Sequence, residues 1–182
     1  IDKSWLASLV PAESWELDPC KVLLTPQGTI LFKQWQRVDD EGTYSLYPFT
    51  MVMNDPESDM SPEETSQRDL PVVVRSIDGA TLKFSRPLTL GSREEKAEMK
   101  TARLLGEVTI YRPQTADGAQ PDLRVLTRNV QIDQSRIFTL ADVEFAYGDH
   151  VGSGRNLSMD LSHETDGNES AASFSTINGV RQ

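Results

Sequence analysis

Two histidines, His150 and His163, each stand beside an acid, Asp149 and Glu164. A zinc site needs three or four converging ligands, and no spacing in the chain supplies the others. Ser153 lies between Gly152 and Gly154. A nucleophile elbow has its glycines two positions either side of the serine, so this triplet does not fit one. It also lacks the third glycine and the following helix of a dinucleotide site. It reads as a strand with little side-chain bulk where another backbone comes close. Asp55, Glu57 and Asp59 alternate as in a calcium loop, but the turn glycine and the distal glutamate are missing, which leaves a solvated loop. Cys20 is the single cysteine, so no intrachain disulfide exists. Leu17-Asp18-Pro19 before it lacks the small residues that lipid attachment wants, and Cys20 reads as a small packed residue. Asn156-Leu157-Ser158 and Asn168-Glu169-Ser170 match a glycosylation sequon short enough to arise by chance. The chain therefore predicts no catalytic residues, no metal and no cofactor, and points to binding rather than catalysis.

Composition narrows the partners. The chain has 182 residues, 37% hydrophobic and 25% charged, enough to bury the core of one domain. Acidic residues number 28 against 18 basic, a formal charge of -10. Phosphate repulsion then opposes nucleic-acid binding, and no basic run interleaved with aromatics offsets it. No apolar run approaches the roughly 20 residues that cross a bilayer as a helix. Residue 1 is Ile, so a processed chain or an excised fragment is expected, with room ahead of it for a signal or a membrane anchor.

The elements that would carry a binding site are strands. The expected organisation is one β domain: an N-terminal appendage over 1–19, a hairpin region over 20–53, an acidic loop over 54–69 and a strand-repeat section over 70–182. In the appendage, Ser4 can cap a short helix to Val10 that Pro11 stops, with Trp5, Leu6 and Leu9 on one face and Trp5 and Trp15 packing on the sheet. Lys21–Thr25, the turn Pro26-Gln27-Gly28 and Thr29–Trp35 predict a hairpin. Thr43–Met53 is apolar on both parities, so both sides of that strand should be covered. Leu70–Ser76 and Thr81–Leu90 read as strands around an Asp78-Gly79 turn, with Pro87 marking an edge or a bulge. Arg93–Arg103 is rich in helix formers and suggests a short surface helix. Ile137 to Tyr147 forms a long alternating strand. Gly148-Asp149 turns the chain, and Val151–Leu161 returns. Ala171–Val180 begins a further strand.

Within the last section a short phrase recurs: Val108-Thr109-Ile110, Asn129-Val130-Gln131-Ile132, Asp142-Val143-Glu144-Phe145 and Leu157-Ser158-Met159. Copies of one strand unit suggest stacked rungs, and their unequal spacing keeps a meander open. Val108, Ile110, Val130, Ile132, Val143 and Phe145 are expected to face one apolar interior. Ile137, Leu157 and Met159 complete the candidate lining of a lipid-binding groove, or of a plain core.

Leu105-Gly106-Glu107-Val108-Thr109-Ile110, Leu126 to Asp133, Ile137-Phe138-Thr139, Val143-Glu144-Phe145 and Gly152 to Leu157 together resemble the periplasmic lipopolysaccharide-export bridge proteins, the LptA/LptC and OstA-like group. The likeness covers roughly the 60 residues from Leu104 to Leu161. It implies an incomplete antiparallel jellyroll of facing sheets, open along one side, with no catalytic residues. It implies that the interior shields acyl chains of lipopolysaccharide or a similar lipid, and that the ends add strands to homologous jellyrolls in the periplasm. The rival expectation is a carbohydrate- or protein-binding sandwich, with Trp15, Trp35 and the tyrosines as an aromatic platform. A β-solenoid is a third.

Overall fold

The computed structural model describes residues 4–53, 71–88, 98–113, 122–133, 136–160 and 178–181. After a 3-10 helix at Ser4–Ser8, strands β1 (Lys21–Thr25), β2 (Gly28–Arg37) and β3 (Thr43–Met53) form an antiparallel meander. Then come β4 (Val72–Ser76), β5 (Ala80–Phe84), β6 (Met99–Leu104), β7 (Glu107–Arg112), β8 (Leu123–Arg128) and β9 (Gln131–Asp133). The chain closes with β10 (Arg136–Tyr147), β11 (His150–Asp160) and β12 (Asn178–Arg181).

These twelve strands form one sheet whose pairing path closes into an eight-strand β-barrel, β3-β4-β7-β8-β10-β9-β6-β5 and back to β3. The closure is built from strands laid end to end. Ser76 of β4 sits opposite Phe49 of β3, and Ala80 of β5 opposite Leu46 of the same strand. Likewise β7 and β6 follow β4 and β5, and β8 and β9 follow those. β10 spans both halves, pairing β9 near Ile137 and β8 near Phe145.

The breaks between the halves lie side by side. Gly79 has φ 92°, Gly106 φ 60° and Asn129 φ 51°, all in the left-handed region that side chains disfavour. A Cβ on Gly79 would come 2.4 Å from the Leu46 carbonyl oxygen, so a side chain is excluded by contact as well as by φ. The breaks are stitched together: Leu105 N donates to Gly79 O (2.9 Å) and Asn129 N donates to Gly106 O (3.0 Å). Thr139 Oγ1 donates to Arg128 O (2.8 Å) where β10 loses register with β11, between Thr139 and Asp142. A line of bulges and glycine kinks across a sheet bends every strand at one place, which lets the two halves close on a common interior.

Several expectations need correction. Every pairing among the described residues is antiparallel, so the recurring phrase falls on antiparallel strands β7, β9, β10 and β11 and not on stacked solenoid rungs. Met99–Leu104 is strand β6 and not the end of a surface helix. Pairing with β5 on one edge and β9 on the other overrides its helix-forming residues. The N-terminal helix is a 3-10 turn ending at Ser8. β5 stops at Phe84, before Pro87, and Leu88 N instead donates to the Tyr44 hydroxyl (2.9 Å). The bare Gly152 faces the Phe145 ring rather than another backbone, with a hypothetical Cβ only 2.7 Å from Phe145 Cζ. The sheet is mostly β and antiparallel as expected, but its pairings close through eight strands where an open jellyroll was anticipated. The acidic stretch 54–69, residues 171–177 and His163 lie outside the described residues.

Candidate functional site

The alternation of each strand sends one set of side chains inward. Val108 and Ile110 of β7, Val130, Ile132 of β9, Ile137 and Val143 of β10, and Leu157 and Met159 of β11 are all buried there. Phe145 packs against the same cluster, half-buried, its ring over Gly152. The structure thus brings together all the residues expected to line the interior. They are joined by residues from β2, β3, β5 and β6, among them Ile30, Phe32, Phe49, Leu82 and Leu104. This apolar body is continuous from one half of the sheet to the other.

Ser76, Thr127 and Thr139 are inward polar residues whose hydroxyls donate to backbone carbonyls, and one inward position is charged. β7 reads Val108-Thr109-Ile110-Tyr111-Arg112, and Arg112 shares the parity of Val108 and Ile110. It sits opposite Leu123 and is only 8% exposed. Its Nε is buried without a hydrogen-bond partner, and the guanidinium makes no ion pair among the described residues. Alternation alone could have found it in the sequence, since the pattern places an arginine where the next inward residue belongs.

The outer face has its own cluster. Leu31, Val52 and Val73, the opposite parity of β2, β3 and β4, are covered by Leu6, Leu9 and Val10, with Trp5, Trp15 and Tyr111 around them. This is why β3 is apolar on both parities. Under the segment lies a polar knot. Glu16, fully buried, accepts from Thr50 Oγ1 (2.6 Å) and from Arg75 Nε (2.7 Å), and its second oxygen accepts from Arg75 Nη2 (3.1 Å) and from the Ser14 hydroxyl. Two-pronged guanidinium–carboxylate geometry with further donors is what makes a buried pair tolerable. Nearby, burial holds the Tyr111 phenol up to about 12, Arg75 pulling it down and Glu16 pushing it up. Its hydroxyl has no partner among the described residues.

The remaining features carry little chemistry. An open cleft of about 510 Å³ lies on the outside of the β10 irregularity, walled by Thr127, Arg128, Leu140 and the Asp142–Arg155 ion pair. His150 is exposed at the β10–β11 turn, and the described residues contain no group of three or more metal-ligating side chains. Asp39 Oδ1 accepts from Glu41 N and Thr43 N (both 2.9 Å), and its bonding to Thr43 holds the carboxyl below its ordinary range. That is turn chemistry. Trp15 packs against the outer cluster while Trp35 tilts against Tyr44, with ring centroids 5.9 Å apart. Cys20 is half-buried and donates to Glu16 O. No helix among the described residues is long and apolar enough to cross a membrane.

No family model, curated protein or solved structure matches the chain.

Proposed function

We propose that this chain is a non-enzymatic lipid-handling domain of the periplasm, in which the two halves of the bent sheet act as the facing sheets of a jellyroll and part to shield acyl chains of lipopolysaccharide or a similar lipid. The observation that carries the reading is the continuous apolar interior, which runs between two halves joined along one line of bulges. An apolar chain inserted there would replace side-chain contacts with contacts of the same kind, at roughly 25 cal/mol per Å² of lipid surface removed from water. Met51, Met53, Met99 and Met159 line the interior, and their unbranched thioethers repack readily around a flexible guest. Bridging follows from the edges. β1 has β2 as its one partner among the described residues, so its other side offers backbone groups to a homologous sheet. The acidic charge opposes approach of a second copy, and association should strengthen as salt screens it.

Native mass spectrometry separates this reading from the carbohydrate-binding sandwich. The intact chain should form a complex with purified lipopolysaccharide and none with the same glycan after the acyl chains are removed. Binding of the deacylated glycan alone would overturn lipid handling and favour a sugar-binding surface around Trp35.

A further inference from the structure

We infer that Arg112 anchors an acidic head group, so that the guest of the apolar interior is an anionic amphiphile rather than a neutral lipid. The inference rests on the lipid-handling reading and adds to it the charge of the ligand. Its starting point is a cation in the wrong place. Arg112 is 8% exposed, on the same face as the fully buried Val108 and Ile110, and opposite Leu123. A guanidinium carries five N–H donors and stays charged at every accessible pH. Here Nε is buried with nothing to donate to. Burying a charge without a partner is among the most costly things a fold can do.

The contrast with Arg75 shows what this chain does when an arginine serves the fold. Arg75, a neighbour on β4, is met by a bidentate carboxylate, a serine and a threonine-braced network. Arg112 has no such answer among the described residues.

The position is also suited to a head group. Arg112 is the last residue of β7 and Leu123 the first of β8, and Met53 and Val72 are the last and first residues of β3 and β4. The guanidinium therefore stands at one end of the interior, with the apolar body of the cluster leading away from it toward the bulge line. A ligand with an acyl chain and a terminal carboxylate or phosphate would place its chain along Ile110, Val108 and Val125 and its oxygens on the fork of Arg112. Arginine is matched to that task because its planar donors meet two oxygens at once. Lysine in its place would keep the charge and lose the fork.

The test compares three probes on the intact chain by displacement of a fluorescent fatty acid: dodecyl phosphate, dodecanol and inorganic phosphate. Dodecyl phosphate should bind about tenfold or more tighter than dodecanol, the worth of a charge-assisted hydrogen bond, and inorganic phosphate should not compete at equal concentration. In Arg112→Gln the preference should vanish while dodecanol binding is unchanged, and Arg112→Lys should keep part of it. Circular dichroism of each variant confirms the strands. If the parent binds dodecyl phosphate and dodecanol equally, or if folded Arg112→Gln keeps the full preference, the anchor is wrong and lipid handling stands. If inorganic phosphate competes as well as dodecyl phosphate, the site takes a free anion and the amphiphile is wrong. If neither amphiphile binds the parent, lipid handling fails and takes the anchor with it.

Discussion

The two faces of the sheet are closed in different ways. The outer face, over Leu31, Val52 and Val73, is roofed by the N-terminal segment and pinned by Glu16 to Arg75, Ser14 and Thr50, with both carboxylate oxygens bonded. The inner face is closed mainly by apolar side chains, with Ser76, Thr127 and Thr139 bonded to backbone carbonyls, and its charged member Arg112 has no partner among the described residues. A directional, fully bonded polar network specifies one arrangement, because any displacement leaves a buried charge stranded. Dispersion and burial are non-directional and tolerate rearrangement of what is packed. The outer face is thus held in one arrangement by directional bonds, whereas the inner face is held mainly by non-directional packing that tolerates repacking.

A charge placed on the inner face should do the most damage. Val143→Asp puts a carboxylate into the apolar cluster, and should cost about 4 kcal/mol or more, read as a loss of cooperative urea unfolding. A variant that melts like the parent would mean that Val143 is not enclosed and that the inner face is open to water.

Next comes the outer knot. Arg75→Ala strands the fully buried Glu16 carboxylate and should cost about 3–5 kcal/mol. Glu16→Ala should cost less, since Arg75 keeps 20% of its side-chain surface in water. The double replacement Glu16→Met with Arg75→Met should recover much of the loss, because no charge is left unpaired. Equal costs for the two single variants, or a double variant worse than Arg75→Ala, would break the claim that the knot is a matched pair.

The smallest effect sharpens the same face. Tyr111→Phe removes a buried hydroxyl that has no partner among the described residues, so at neutral pH stability should change by less than about 0.5 kcal/mol or rise. The parent should respond to alkali. Burial raises the folded phenol from 10.0 to about 12, so between those values the folded chain keeps a proton the unfolded chain has lost. Its contribution is complete below pH 10 and lost as pH climbs to about 12. Tyr111→Phe should flatten that decline in thermal melts, and an unchanged slope would place the phenol in contact with water.

Much of this was legible in the sequence. Alternation fixed the inward set from Val108 to Met159, because a half-buried strand has one period and one choice of face. The two apolar parities of Thr43–Met53 announced a covered strand, though not that the N-terminal segment covers it. The seam was not legible. Asp78-Gly79 reads as a hairpin turn, yet the chain continues in the same direction along β3, and only the register of Ser76 and Ala80 on one partner strand shows it. Bulges leave no periodic signal, since each breaks the pattern at a single residue. Glu16 and Arg75 were invisible for a related reason: their pairing spans 59 positions and depends on how the N-terminal segment lies across the outer face. Arg93–Arg103 misled because helix propensity is a weak preference beside two strand partners.

If the domain handles lipid as proposed, the inner face, and not the outer one, receives acyl chains. The direct measurement is photo-crosslinking to purified lipopolysaccharide from p-benzoylphenylalanine at position 145, where it replaces a half-buried aromatic ring. A matched probe at position 83 replaces the exposed Lys83 of β5 on the outer side. Labelling is expected at 145, suppressed by excess unlabelled dodecyl phosphate, with background labelling at 83. Equal labelling at both positions, or none at 145 while the probe-bearing chain remains folded, would contradict acyl-chain binding by the inner face.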